Sequence, residues 1–306
     1  MGRIDVGESV EKFLSSRRAG GCSWETLRWY DGRLRRFARW WNEQPEDEPT
    51  PDIMRRFVLH LQDQPDIRGT TVNTYVRALR AWANWSTEEG LLPTNPMRRV
   101  TLVKEDLHLP RILTENEVEK MLAQPRTKTE AGRRDFALML TLLDCGCRIS
   151  EALTARVTDL DIDGDSLVVR GKSRKERLLF FTSATREAID LYLRRREKSK
   201  QEEYLFSRAR GHGRLRSHII QQRFRKYATD AGLDKSAPPH SWRRSFATLT
   251  HRAGASVGVI QQALGHSVIT TTMKYIGIGP ADMQELSRKF SPVATLRVGK
   301  RQQGRR

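Results

Sequence analysis

The sequence has little cysteine and no long apolar run. Only three cysteines occur among 306 residues. Cys145 and Cys147 stand too close together to brace a fold, so a disulfide-built architecture is excluded and a reducing compartment is indicated. No stretch approaches the ~20 apolar residues that span a bilayer, and residues 1–5 do not begin a signal peptide. These absences predict a cytoplasmic protein that does not enter a membrane.

Acidic side chains are also in short supply. The chain has 55 Lys and Arg against 37 Asp and Glu, a formal net charge of +18. Such an excess favours polyanionic partners through counterion release. Residues 1–107 hold 17 basic and 16 acidic side chains, whereas residues 108–306 hold 38 and 21. The positive excess therefore belongs to the second part of the chain, and it continues into a predicted basic tail over 292–306.

The length favours two domains, and the first is predicted over residues 1–107. Apolar residues recur there every three or four positions in four segments, which is typical of helices. Thr50 as N-cap, with Pro51 at the first helical position, begins the third helix. Six of the seven Trp lie in this domain, most of them expected in its core. Four arginines are expected on its surface, where they could meet phosphates: Arg33, Arg36, Arg77 and Arg80.

The second domain is predicted over residues 108–291. Thr114 and Glu117 form a capping box that begins its first helix. A later helix is broken at Gly146, and two short β-runs flank a basic turn, which predicts a hairpin. The fold class is therefore mainly α with a small antiparallel β-sheet. The predicted helices lie at 135–143, 150–153, 184–199, 216–231, 241–252, 256–264 and 281–290, and the β-runs at 167–170 and 178–181.

Three motifs imitate metal or nucleotide sites, and each lacks a required element. Residues 159–164 resemble the start of a calcium loop, but Arg170 stands where the twelfth position requires Glu. Gly171-Lys172-Ser173 resembles the end of a phosphate-binding loop, but Ser166 occupies the first glycine position. Cys145-x-Cys147 is not a usual zinc spacing. No metal ion and no cofactor is predicted.

Basic, histidine and tyrosine side chains follow one another in the second domain in a distinctive order. His240 and Arg243 lie three apart on one face of a predicted helix, so this pair can share a phosphate. Taken singly, each such residue has an ordinary explanation as packing, a surface charge or a helix-end polar group. The set comprises 146–153 with Arg148, Gly171-Lys172, His240 to Arg243, Leu264-Gly265-His266, and Thr272-Met273-Lys274-Tyr275.

These five boxes, in this order and spacing, resemble those of the tyrosine recombinases, also called the phage integrase family. The resemblance covers most of 108–291, and the helical domain 1–107 agrees with the family's SAM-like core-binding domain. The family's second box commonly reads His-x-Leu-Arg-His, whereas this chain has Trp242 and Arg244. Neither departure touches a residue that the resemblance makes catalytic.

The resemblance implies an enzyme that breaks and rejoins DNA strands, with Tyr275 as nucleophile and a 3′-phosphotyrosyl link as intermediate. Such a link preserves the bond for rejoining. A phenol of pKa ~10 needs help to ionise, and His240 is the candidate base. Lys172, on the hairpin, is the candidate general acid for the departing 5′ oxygen. The phosphate-binding set is Arg148, Arg243 and His266 with Glu151 in support, and the further DNA contacts are Arg174, Lys175, Arg244, Arg77 and Arg80.

The resemblance also implies a two-domain clamp on double-stranded DNA, working as a homotetramer on two sites. The helix at 281–290 is expected to dock on a neighbouring protomer or on its own domain. The chain begins almost directly with the helical domain, which leaves no room for an arm-binding domain and favours a simple Xer-like recombinase. Dimer resolution, integration and excision all stay open, as does a partner recombinase. A type IB topoisomerase and a catalytically silent DNA-binding regulator are the alternatives.

Overall fold

The structure is a computed structural model, and it describes residues 4–104, 111–171, 176–196, 203–208 and 213–265. The chain divides into two compact units, Met1–His108 and Leu109–Arg306. In the part of the chain that the structure describes, the first unit is built from helices alone and the second adds a small sheet. No helix of that part is long and apolar enough to cross a membrane.

The described residues of the first unit form four helices. They are α1 (Val6–Ala19), α2 (Trp24–Asn42), α3 (Pro51–Gln62) and α4 (Gly69–Glu88). The carboxylate of Asp5 accepts the Glu8 N–H at 2.9 Å at the start of α1, and Thr50 caps α3 directly before Pro51. Such caps satisfy N–H groups that a helix cannot pair internally. The four predicted helices of this domain are confirmed.

Aromatic side chains fill the core of the first unit. The ring of Phe37 lies 5.7 Å from that of Trp82 and 6.4 Å from that of Trp41, measured between centroids. Aromatic pairs of this kind add to the stability that their buried area provides. Trp41, Trp82 and Trp85 are buried, Trp29 and Trp40 are partly buried, and Trp24 is 68% exposed.

The expectation that four arginines of this unit lie exposed is correct only for Arg77. The guanidinium of Arg33 lies 4.4 Å from the centroid of the Trp29 ring, and that of Arg80 donates to the Val100 carbonyl. Arginine stems cover apolar surface readily, and guanidinium groups stack on aromatic faces. The partly buried arginines are Arg33, Arg36 and Arg80.

The second unit is organised around one central helix, α6 (Glu130–Cys145). This helix packs most extensively against α8 (Ser183–Arg195) and α10 (Pro239–Arg252). The predicted capping box at Thr114 and Glu117 is present at the start of α5. The helices of this unit's described residues are α5 (Glu115–Leu122), α6 (Glu130–Cys145), α7 (Ile149–Thr154), α8 (Ser183–Arg195), α9 (Ser217–Asp230), α10 (Pro239–Arg252) and α11 (Val257–Leu264).

A three-stranded antiparallel sheet completes the second unit. Its strands, in spatial order, are β1 (Leu160–Asp161), β2 (Ser166–Arg170) and β3 (Glu176–Phe180). The predicted hairpin corresponds to β2 and β3, while β1 was not predicted because two residues carry no alternation. The predicted fold class, mainly α with a small antiparallel sheet, is confirmed. The predicted helix at 281–290 and the tail at 292–306 lie outside the described residues.

Candidate active site

The site is built where α6 ends. Gly146 ends this helix in the left-handed conformation, with φ of 58°. A Cβ at this position would lie 2.2 Å from the ring of Phe246 on α10, so a side chain is excluded both by the backbone and by the neighbour. The tight turn delivers Arg148 to the start of α7 two residues later.

Glu151 is the buried centre of the site. One carboxylate oxygen accepts the backbone N–H of Arg148 at 2.8 Å, and the other accepts Nη1 of the same residue at 2.7 Å. The side chain of Glu151 is 2% exposed, whereas that of Arg148 is 39% exposed. Glu151 therefore binds Arg148 from the buried side, while the Arg148 guanidinium is partly exposed to solvent.

A second arginine, Arg177 on β3, binds the same carboxylate. Its Nη1 donates to Oε1 of Glu151 at 2.9 Å and its Nη2 donates to Oε2 at 2.7 Å. Sequence reasoning did not identify Arg177. Alternation along β3 offered a signal, since Arg177 shares a face with the buried Leu179, and an arginine on that face needs a partner.

Arg243 is the most deeply buried arginine of the site, with 1% of its surface exposed. Its Nη1 donates to the carbonyl of Gly146 and its Nη2 to the carbonyl of Leu264, both at 2.6 Å. These carbonyls lie at the ends of α6 and α11, where a helix carries partial negative charge. Arg243 thus joins the ends of two helices, and Gly265 ends α11 in the same left-handed conformation as Gly146 ends α6.

Positive charge exceeds negative charge in this region. We call Arg148, Glu151, Arg177 and Arg243 the Glu151 cluster; it contains three guanidinium groups and one carboxylate. Burial and the charge of Arg148 lower the pKa of Arg243 to about 10. Burial would raise the pKa of Glu151, but hydrogen bonds from Arg177 and from the Arg148 backbone keep it below its ordinary value. An anion bound here would offset the uncompensated positive charge.

His240 stands at the start of α10 on the exposed side of this cluster. Loss of hydration and the positive charges of Arg244, Arg243 and Arg148 lower the pKa of His240 to about 4. The imidazole is therefore neutral at pH 7 and has a nitrogen that can accept a proton. Arg243, three residues on, is turned into the interior, so the pair predicted to share a phosphate differs sharply in burial.

Comparison with known proteins identifies the chain. Residues 111–280 match the Phage integrase family, and residues 10–90 match the family described as Phage integrase, N-terminal SAM-like domain. The chain belongs to the phage integrase family. It is a tyrosine-type site-specific DNA recombinase, as the sequence predicted.

The relatives of this recombinase include proteins named for the Xer system. The tyrosine recombinase XerC of Pelotomaculum thermopropionicum is 33% identical over 253 residues, covering 79% of this chain and 81% of the relative. The tyrosine recombinase XerD of Lacticaseibacillus casei is 29% identical over 269 residues, covering 86% and 91%. The recombinase therefore resembles these relatives over most of their length.

Solved structures share the fold of the recombinase. The Tn1549 transposon integrase in complex with a circular intermediate DNA has a TM-score of 0.75 at 19% identity, covering 93% of this chain and 99% of that one. The XerH site-specific recombinase bound to its palindromic difH substrate has a TM-score of 0.72 at 19% identity, covering 89% and 82%. Both likenesses concern the fold.

The structure brings together part of the predicted site. Arg148, Glu151, Arg243 and His240 lie in one region of the recombinase, joined by hydrogen bonds or electrostatic interaction. Arg244 follows Arg243 on α10 and is partly buried. The predicted residues that lie outside the described ones are Lys172, Arg174, Lys175, His266 and Tyr275.

Tyr227, a buried tyrosine of α9, belongs to another group. Its hydroxyl donates to Asp135 at 2.8 Å and accepts from Arg223 at 2.7 Å. Burial and the charge of Asp135 raise the pKa of Tyr227, which disfavours the phenolate. We call this group the Asp135 cluster; its members are Arg134, Asp135, Arg223 and Tyr227.

Cys145, at the end of α6, and Cys147, within the motif 146–153, are core residues of the recombinase. Cys147 is fully buried, and burial together with the charge of Glu151 raises the pKa of its thiol to about 12. Burial also raises the pKa of Cys145. Thiols in this state are poor metal ligands and poor nucleophiles. No group of three His, Cys, Asp or Glu suited to a metal ion occurs among the described residues.

Proposed function

We propose that this recombinase cuts DNA with Tyr275 and protonates the leaving strand with Lys172. The phenol oxygen attacks the scissile phosphorus, the bond from phosphorus to the 5′ oxygen breaks, and that oxygen takes a proton from the Lys172 ammonium. Rejoining reverses the step, with a 5′ hydroxyl attacking the phosphotyrosine. One phosphodiester replaces another, so the reaction consumes no cofactor and needs no metal ion.

The observation that carries the proposal is the excess positive charge of the Glu151 cluster. The pKa of Arg243 is lowered to about 10 because the group is buried next to Arg148. A phosphodiester bears one negative charge, and its charge spreads over the non-bridging oxygens in the transition state. Guanidinium forks match this geometry, so Arg148 and Arg243, with His266, are proposed to bind those oxygens.

His240 is proposed as the base that accepts the phenol proton. A neutral imidazole is required for this role, and the lowered pKa of His240 keeps the ring neutral at physiological pH. A phosphate bound beside the ring would raise this pKa from about 4 towards neutrality, which is the range in which a general base is most effective. Glu151 is proposed to support Arg148 and not to transfer protons.

The wider DNA interface is proposed to lie on both units. Arg174, Lys175 and Arg244 would bind phosphates around the cleavage point, and Arg77 would do so from the first unit. Arg80 is a weaker candidate than the sequence implied, because its guanidinium donates to the Val100 carbonyl. The proposed assembly is a homotetramer that clamps two duplex sites and passes through a Holliday junction, and the proposed place of action is the cytoplasm.

The experiment that tests this proposal uses a duplex with a nick beside the cleavage point, which releases a short fragment and traps the covalent intermediate. A phosphotyrosyl adduct and strand transfer between two duplexes are expected. The candidate substrates are inverted repeats in the DNA that flanks the gene. Absence of an adduct on any bound site would leave a silent DNA-binding regulator, and an adduct with relaxation but no strand transfer would indicate a type IB topoisomerase.

A further inference from the structure

We propose that Arg177 is a positioning residue for strand cleavage, one that keeps Glu151 from occupying the guanidinium of Arg148. The inference rests on the proposed function, because it concerns how Arg148 comes to face the scissile phosphate.

The carboxylate of Glu151 is divided between two arginines. Each oxygen accepts one N–H from Arg177 and one from Arg148, so the four bonds occupy both oxygens. The Arg177 bonds are the parallel pair that a guanidinium forms best with a carboxylate. The bonds from Arg148 are of two kinds, one from the backbone N–H and one from Nη1.

Because Glu151 accepts only one bond from the Arg148 guanidinium, the other N–H groups of that guanidinium can donate elsewhere. Among the described residues, Nε and Nη2 of Arg148 have no hydrogen-bond partner, and the side chain is 39% exposed. If Arg177 were removed, Glu151 would be left with Arg148 as its cation. The favoured geometry of that pair is the two-point fork, which would turn the Arg148 donors towards the carboxylate and away from a phosphate.

The fold holds Arg177 in place from both sides. It lies on β3 opposite Val169 of β2, and its side chain is 17% exposed. A Cβ on Gly265 would lie 3.0 Å from Nη1 of Arg177, so the guanidinium also packs against the turn that ends α11. The side chain of Arg177 therefore links β3 to Glu151 of α7 and to Gly265 at the end of α11.

The test compares Arg177→Gln with Arg170→Gln. Arg170 lies on the same hairpin but pairs with the exposed Glu176 and with Asp159, away from Glu151. Single-turnover cleavage of the nicked duplex is the measurement, with DNA affinity and thermal unfolding recorded in parallel. We expect Arg177→Gln to slow cleavage roughly tenfold to a hundredfold, the usual loss when the support of a functional side chain is removed. Affinity should change less than about twofold, and Arg170→Gln should cleave at the rate of the unmodified chain.

A double substitution shows whether Arg177 acts through Glu151. The pair Arg177→Gln with Glu151→Gln should cleave no more slowly than the slower single variant, because without the Glu151 carboxylate the loss of Arg177 has nothing to turn the Arg148 donors away from the phosphate. Losses that multiply would overturn the proposal. Arg177→Lys keeps the charge but loses the two parallel bonds to the carboxylate, so an intermediate rate is expected. A rate equal to that of Arg177→Gln, with a normal unfolding temperature, would show that both parallel bonds are required.

A substrate with a 5′-bridging sulfur shows whether Arg177 acts on Arg148 or on Lys172. The thiolate leaves without protonation, so Lys172→Ala should regain cleavage on this substrate while Arg177→Gln should stay slow. Rescue of Arg177→Gln would mean that Arg177 serves Lys172, and it would overturn the proposal. If the unmodified chain forms no adduct, the proposed function fails; if it does and Arg177→Gln matches it, only this inference fails.

Discussion

The second unit contains two clusters in which arginines surround a buried carboxylate, and the two clusters differ in how their charges are balanced. The Asp135 cluster places a tyrosine hydroxyl on a carboxylate that is fully buried. The Glu151 cluster places its carboxylate under two arginines and presents positive charge outward. A tyrosine loses acidity in the first environment and would gain acidity in the second.

The two clusters differ in whether the buried charge is satisfied by the neighbouring side chains. In the Asp135 cluster, Asp135 accepts hydrogen bonds from Arg134, Arg223 and Tyr227, so its charge is satisfied by its neighbours. In the Glu151 cluster, the guanidinium of Arg243 is 1% exposed and donates to carbonyls, and its pKa is lowered by burial and by the charge of Arg148. An unbalanced cluster of this kind favours an outside anion.

The largest effect is expected when the hydroxyl of each tyrosine, Tyr275 and Tyr227, is removed in turn. Tyr275→Phe should bind DNA and form no covalent adduct, because it loses only the attacking oxygen. Tyr227→Phe should keep the adduct and lose about 1–3 kcal/mol of unfolding free energy, since Asp135 loses a donor. Adduct formation on the nicked duplex and chemical denaturation are the measurements. An adduct that persists in Tyr275→Phe would place the nucleophile elsewhere.

The two arginines of the Glu151 cluster that we propose as phosphate ligands should separate into a stability effect and a rate effect. Arg243→Ala leaves the buried carbonyls of Gly146 and Leu264 without a donor, so we expect a loss of roughly 2–6 kcal/mol of unfolding free energy together with cleavage. Arg148→Ala should slow cleavage by ~10²–10³ with a nearly normal unfolding temperature. Equal unfolding temperatures for the two variants would contradict a stabilising role for the hydrogen bonds of Arg243.

The charge excess around His240 predicts a shift in the pH profile. Arg244→Gln removes a positive charge beside the ring, so the pKa of His240 should rise above about 4. Because the base is lost as pH falls through this pKa, the acidic limb of single-turnover cleavage should move to higher pH. Titration of His240 by NMR gives the pKa directly, and Arg252→Gln at the far end of α10 is the control. A raised pKa with an unmoved limb would assign the base to another group.

The smallest effect is expected in the first unit, whose charge is nearly balanced. Arg77→Gln should lower the slope of log affinity against log salt by about 0.9, the value for one phosphate contact. Arg80→Gln should leave this slope unchanged and lower the unfolding temperature, because Arg80 bonds to the Val100 carbonyl. Fluorescence anisotropy on a duplex at several salt concentrations measures both. Equal slopes for the two variants would mean that Arg77 and Arg80 do not differ in phosphate contact.

The sequence predicted those features of the fold that depend on neighbouring residues. The Thr50 cap before Pro51, the capping box at Thr114 and the break at Gly146 each involve residues at most four positions apart, and each is present. Contacts between distant segments were not predictable in this way. The pairing of Arg177 with Glu151 spans 26 positions, and nothing in the alternation of β3 names the partner.

The residues of the candidate site were predicted more fully than their arrangement in space. Arg148, Glu151, His240 and Arg243 were named from the motifs, and the structure brings them together. That Arg243 is buried and bonded to two helix ends depends on the packing of α6, α10 and α11. The spacing of residues along α10 predicts which of them share a face, but it does not predict which other helices pack against that face.

The bonds of Arg243 also bear on how much of the chain is needed to fix this side chain. Gly146 precedes this arginine by 97 positions, and Leu264 follows it by 21. A polypeptide that stops before Leu264 has only one of the two carbonyls, so one end of the Arg243 guanidinium has lost its acceptor. The position of Arg243 is therefore set only after α11 has been synthesised and has packed against α10.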